Sequence, residues 1–173
     1  MIELEQGLFT RRSVRRFIKN RTVPTRTLHE ILSASMHAPS ARDSQCWEFI
    51  VVDKKPVLEK IKSIHPRSAS FIGDASLAII VCGDTRKQIA KDSWVVDCAN
   101  ATMQMLLGCH AKGLGSCWCG VYPDKEHMHN FSVLLELPPH VEPLAMVVIG
   151  YKQEEPKQPV NRYDIKKIHI NRW

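Results

Sequence analysis

The chain has 173 residues, 44% hydrophobic and 24% charged. That is enough apolar material for one core, with no run of the ~18 apolar residues that a membrane span needs. The net charge of +6 admits an anionic ligand, but the basic residues are spread along the chain with no run interleaved with aromatics, which argues against a nucleic-acid module. The opening MIELEQGLF carries acidic residues and no apolar stretch, so no secretory signal is expected and a cytoplasmic location is.

In chain order, LFTRRSVRRF (residues 8–17) is the first feature. It puts four arginines and one serine into six positions, flanked by Leu8, Phe9 and Phe17 with Val14 inside. Guanidinium groups make charge-assisted, often bidentate bonds to phosphate, so R-R-S-x-R is a candidate anion cradle. A solvated basic face is the alternative. Residues 24–37 place Leu28, Ile31, Leu32 and Ser35 on one face behind Pro24, which predicts an amphipathic helix. The loop APSARDSQ follows, with Pro39, Ser40, Asp43 and Ser44 directly before WEFIVV (47–52), a predicted buried strand. A short helix is expected over 54–62 and a strand over 76–82. The longest helix, 93–112, is apolar on more than one face and therefore central, with Gly113 as its C-cap. A short strand (115–120), a helix (123–136) and a last core strand (144–149) complete the body. The polar tail from Tyr151 ends in Trp173, a large apolar surface to leave in water. It reads as an arm that docks on its own domain or on a partner subunit. Intermixed helices and strands predict a single three-layer α+β or α/β domain over 1–173.

The six cysteines are Cys46, Cys82, Cys98, Cys109, Cys117 and Cys119, with no C-x-x-C pair. This fits a reducing compartment better than a disulfide framework. Cys117, Cys119, His127 and His129 are the only metal candidates by spacing. His-x-His on a helix diverges, so no metal is expected. KGLGSCWCG (112–120) has Trp118 where the third glycine of a dinucleotide fingerprint belongs, and it precedes a strand instead of following one. Gly120 inside that strand suits backbone lying close to a flat ligand; a helix cap and tight strand entry is the alternative. There is no Gly-x-Ser-x-Gly elbow and no Gly-x-x-x-x-Gly-Lys loop.

Together, R-R-S-V-R, A-P-S-A-x-D-x-Q-x-W, D-x-A-x-A leading through an apolar helix into G-L-G-S-C-W-C-G, and P-L-A-M-V-V-I-G-Y before a basic tail resemble the FMN-dependent nitroreductase family. The resemblance covers nearly the whole chain; I-H-P, C-G-D, Y-P and the closing N-R-W are similar to a compact bacterial and archaeal subgroup. It implies an α+β three-layer fold, a central mixed sheet flanked by helices, in a segment-exchanged homodimer with FMN at the subunit interface and 151–173 embracing the partner. It implies Arg11, Arg12, Ser13 and Arg15 on the FMN phosphate and ribityl chain, joined by Arg162, with Pro39, Ser40 and Asp43 supplied by the partner subunit. Cys117, Trp118, Cys119 and Gly120 would lie along the isoalloxazine, with the backbone N–H groups of Cys119 and Gly120 near N5 and O4. The implied activity is ping-pong hydride transfer from NAD(P)H through flavin N5 to a small electron-poor acceptor, a nitro compound or quinone, with no side-chain acid or base. A specialised member such as a dehalogenase, or a flavin-binding redox sensor or carrier without turnover, are the alternatives. Asp43 and Cys46 depart from the family's usual Asn and Pro, and residues 62–75 do not show which groups meet the flavin pyrimidine.

Overall fold

The computed structural model describes residues 4–157 and 160–173. Helix α1 (Leu4–Thr10) has no apolar stripe to announce it in the sequence, and its Leu8 and Phe9 are exposed. Helix α2 (Thr25–Met36) follows Pro24 and buries Ile31 and Ser35 as its periodicity predicts. Strand β1 (Trp47–Val52), helix α3 (Lys55–Ile64), strand β2 (Leu77–Asp84) and the long helix α4 (Ser93–Ala111) come next. Strand β3 (Leu114–Gly120), helix α5 (Lys125–Leu134) and strand β4 (Val141–Tyr151) complete the body. No described helix is long and apolar enough to cross a membrane.

The four strands form one sheet in the order β1-β2-β4-β3. β2 and β4 occupy the centre and are buried on both faces, which is why they read as unbroken apolar runs. Alternation sorts their side chains between two cores. Ile79, Val81, Val147 and Ile149 pack with α2 and α4, while Ile80, Met146 and Val148 pack with α3 and α5. This is the predicted three-layer α+β arrangement.

Two expectations are corrected. WEFIVV is an edge strand, not a buried one: Glu48 and Val51 are exposed. Nor do the four strands form a mixed sheet: among the described residues β1–β2, β2–β4 and β3–β4 all pair antiparallel, and the parallel contact is the isolated Ser13–Ser116 bridge beside β3. The connection after β1 explains this. A helix laid along a strand returns the chain to that strand's start and makes the next strand parallel. Here α3 is followed by the segment 65–76, which brings the chain back so that Ala78 pairs with Val52 at the end of β1.

The arginine segment runs beside β3 as extended chain. Val14 N donates to Ser116 O at 2.9 Å, and Ser13 forms a parallel bridge with Ser116. Farther on, Ile18 N donates to Tyr151 O at 2.9 Å. Val14 and Phe17 are buried, so the apolar residues pin the backbone of the segment, while Arg12 Nη1 donates to Phe9 O at 3.1 Å and Arg16 pairs with Glu154. Gly115 makes the approach possible: a Cβ there would lie 2.7 Å from Val14 Cγ1. Gly115→Ala is therefore expected to destabilise the fold by ~1–3 kcal/mol in denaturant titration, as overpacked sites do. Gly120→Ala, where an added Cβ meets nothing within 4 Å, should leave stability within ~0.5 kcal/mol.

The start of the arm is tied to the body through Tyr151 O and Gln153 N, and residues 160–163 line a hollow with Leu8, Phe9, Arg11 and Arg12, but its end stands clear of the body. Ile170 and Trp173 are 79% and 98% exposed. The arm makes a single turn at Ile165–Lys167, and near its end the His169 and Trp173 rings stack at 4.0 Å between centroids.

Candidate functional site

Two hollows flank the arginine segment. Arg11 and Arg12 line one of about 490 Å³ together with Arg162 from the arm. Arg15 lines a smaller one, about 250 Å³, against Cys117, Trp118, Cys119 and Gly120 of β3. The structure thus brings Arg11, Arg12 and Arg162 together, and places Arg15 against the Cys-x-Cys strand. Ser13 joins them through its bridge to Ser116.

These guanidinium groups lack counter-charges. Among the described residues, Arg11, Arg12, Arg15 and Arg162 form no ion pair with a carboxylate, whereas the neighbouring Arg16 meets Glu154 at 3.4 Å. The effect is clearest at Arg11, whose pKa is pulled below the ordinary guanidinium value by burial and then by the charges of Arg12 and Arg162. A bound anion would relieve that repulsion. The backbone of the cluster is fixed from below: Thr10 Oγ1 donates to Gln6 O and lies 2.8 Å from His110 Nε2 on α4.

The two thiols of β3 differ. Cys117 is pushed down, first by the adjacent Cys119 thiol and then by Arg15, Ser13 and Arg11, against the opposing effect of burial. Cys119 is pushed up by the same pairing and by burial. It keeps its proton and donates to Ser68 O at 3.1 Å. Among the described residues, no group of three or more His, Cys, Asp or Glu side chains is disposed to hold a metal. His127 packs its ring against His65 instead, at 4.3 Å.

Pro39, Ser40 and Asp43 are not brought to the arginines within this chain. Their loop is tied to α4 through Asp97, a 2% exposed carboxylate that accepts from Ala41 N and Ser44 Oγ, both at 2.9 Å. Asn100 Nδ2 donates to Pro39 O nearby. Along α4, Asp97 and the His110 beneath the arginine cluster stand about 20 Å apart at ~1.5 Å per residue. Asp43 has φ 57° and its carboxylate accepts from Gln45 Nε2 at 2.8 Å.

Sequence reasoning missed Asp97 as the organiser of this loop, although a lone acid in an otherwise apolar helix is the signal that marks it. It also missed Arg67, Ser68, Ser70 and Phe71, which line the smaller hollow together with Arg15. Among the described residues Arg67 has no carboxylate partner either. A larger open hollow of about 620 Å³ beside Trp94 and Tyr122 sets Asp92 and Glu142 against Lys125 and His129 and holds no arginine, so it lacks the concentrated positive charge of the arginine segment.

Known proteins share this fold. The nitroreductase family model matches residues 8–67 and 58–151. A protein of Methanothermobacter thermautotrophicus with the provisional name NADH dehydrogenase/NAD(P)H nitroreductase is 38% identical over 172 residues, which cover 99% of this chain and 88% of that protein. The crystal structure of a Parabacteroides distasonis protein of the same provisional name superposes with a TM-score of 0.90 at 34% identity, covering 98% of each chain. An FMN-dependent nitroreductase of Clostridium difficile R20291 superposes with a TM-score of 0.88 at 32% identity, covering 96% of this chain and 98% of that one.

Proposed function

For a chain that belongs to the nitroreductase family, we propose an FMN-dependent oxidoreductase that uses NAD(P)H to reduce a small electron-poor molecule. The observation that carries this reading is the set of guanidinium groups without carboxylate partners beside an open strand. A flavin mononucleotide fits both features. Its phosphate carries about −1.5 to −2 charges near pH 7, and Arg11, Arg12, Ser13 and Arg15 offer it charge-assisted donors, with Arg162 closing from the arm. Each such bond contributes ~1.5–3 kcal/mol net. Gly120 leaves open space where a side chain would stand, so a flat ring can approach the backbone of Cys119 and Gly120.

When bound, FMN supplies the hydride chemistry, accepting from NAD(P)H and giving to an acceptor such as a nitro compound or quinone in two half-reactions. The chain binds and orients. Arg15 and Arg67, which both line the smaller hollow, add positive charge beside the Cys117–Gly120 strand. That charge favours a ligand that gains negative charge on reduction. No side-chain acid or base is required.

A homodimer completes the site. Leu8, Phe9, Val96 and Met103 are exposed on the body, and Ile168, Ile170 and Trp173 on the arm. A second copy that covered them would bring its Pro39–Asp43 loop, tied within one chain to Asp97 about four turns along α4 from His110, to the arginines. Residues 1–173 would then form a single domain, with 151–173 as its C-terminal arm on the partner. All six cysteines are free thiols, which fits a cytoplasmic setting.

The test begins with colour. The purified protein is expected to be yellow, to release a molecule with the mass of FMN, and to oxidise NAD(P)H faster when a quinone is added. A colourless protein that takes up no FMN overturns the reading. Bound FMN without turnover turns it into a redox sensor or carrier.

A further inference from the structure

Helix α3 ends one residue before His65. The backbone of His65 serves the helix end: its N donates to Ile61 O at 3.0 Å and its carbonyl accepts from Ala69 N at 2.9 Å. Its ring is only 3% exposed. Nε2 lies 2.9 Å from Gly120 O, at the end of β3. A carbonyl only accepts, so Nε2 carries the proton. Nδ1 is buried and has no hydrogen-bond partner, which identifies it as the lone-pair nitrogen of a neutral ring. The titratable groups that face His65 come from α5. His127 packs edge-on at 4.3 Å between centroids, and its Nδ1 lies 3.2 Å from the carboxylate of Asp124. Phe131 closes the same side at 5.9 Å.

Gly120 therefore has two sides. Its carbonyl is held by His65 inside the protein, and its Cβ position is open. The loop after His65 carries Arg67, Ser68 and Ser70 of the smaller hollow. Two side-chain bonds tie that loop to β3: His65 to Gly120 O, and Cys119 Sγ to Ser68 O.

We propose that His65 is a positioning residue for the flavin, whose neutral Nε2–H holds the Gly120 carbonyl and so sets both the backbone facing the isoalloxazine and the loop that lines the hollow. The inference rests on the flavin reading above. It carries a pH dependence. A second proton on the ring has no acceptor at Nδ1 and lies edge-on against the His127 ring. Burial first and His127 second hold the pKa of His65 below the ordinary imidazole value, with the Gly120 carbonyl and Asp124 opposing. The second proton leaves Nε2–H in place, so what is lost as pH falls from about 6.5 through the lower folded value is the stability of the buried ring against Gly120, because a charged imidazolium is disfavoured in that core.

The experiment compares the full-length protein with H65Q, which keeps a donor near Nε2 but does not titrate, and with H65L, which has no donor. FMN affinity is expected to fall about tenfold in H65L and to stay within about twofold in H65Q at pH 7.5. Between about pH 7.5 and 5, FMN should dissociate increasingly fast from the parent and less so from H65Q. The second ionisation of the phosphate, near pH 6, is common to both and cancels in the comparison. In the FMN-free protein, the Val121 amide shares a peptide plane with the Gly120 carbonyl. Its NMR shift should titrate below pH 6.5 in the parent and not in H65Q. A parent that binds FMN with the same affinity and pH profile as both variants overturns the role of His65 and leaves the flavin reading standing. A parent that binds no FMN overturns both. If H65L does not fold, the pH comparison of parent and H65Q decides alone: diverging profiles support the role and a shared profile overturns it.

Discussion

Replacing Arg11 by alanine is expected to weaken FMN binding at least tenfold, and riboflavin, which lacks the phosphate, is expected to bind the parent protein far more weakly than FMN. A charge-assisted hydrogen bond contributes ~1.5–3 kcal/mol, or ~10- to 150-fold in affinity. The lower end applies to Arg11 because its charge is already disfavoured in the free protein. Burial, Arg12 and Arg162 all press its pKa downward, so removing it also removes some repulsion. Arg16→Ala is the control. Arg16 is exposed and paired with Glu154, and an exposed pair contributes ~1 kcal/mol or less, so its loss should leave FMN affinity nearly unchanged. Raising the salt concentration should weaken FMN binding to the parent and weaken it less in Arg11→Ala. Fluorescence titration of FMN and riboflavin checks each point. Equal affinities for the two ligands would remove the phosphate from the arginine cluster.

Deleting the arm after Glu155 is expected to abolish the dimer and FMN binding together. The cut must spare Tyr151 and Gln153, because Tyr151 O accepts from Ile18 N and Gln153 N donates to Arg16 O. A cut directly after Gly150 would unpin the arginine segment and confuse the two effects. Beyond Glu155 the arm offers Val160, Tyr163, Ile165, Ile168, Ile170 and Trp173, all exposed. A tryptophan buries ~150–250 Å² on packing. At ~25 cal/mol per Å² that is up to about 4–6 kcal/mol for Trp173 alone. Trp173→Ala in the full chain should therefore weaken the dimer strongly by itself, as light scattering over a concentration series would show. Arg162→Ala separates the arm's two roles: the dimer should persist while FMN binding weakens. A truncated protein that stays dimeric and yellow would show the arm to be dispensable.

Much of the fold was legible locally. β2 and β4 announce themselves as unbroken apolar runs because both their faces are buried. α4 shows its central position by being apolar around much of its circumference, and Gly113, at φ 74°, ends it as a left-handed cap should. Composition and spacing alone marked the arginine segment, the Gly120 strand and the polar loop 39–44 as candidates. Each signal lies within one stretch of chain, where backbone preference and side-chain alternation act over a few residues.

The tertiary structure decided the rest. That WEFIVV is an edge strand depends on which neighbours β1 receives, and its own residues do not encode this. Arg67 and Ser68 enter the site only because Cys119 and His65 tie their loop to β3. Asp97 organises a loop that begins 56 residues before it. The arginines become a site through Ser13 against Ser116 and Thr10 against His110. These pairings join residues far apart in the chain, and each forms only when burial of the common core repays the entropy of closing the loop between them. No local pattern records that balance, which is why the sequence by itself determined the elements and the chemistry they carry, and only the packed core decided which of them meet.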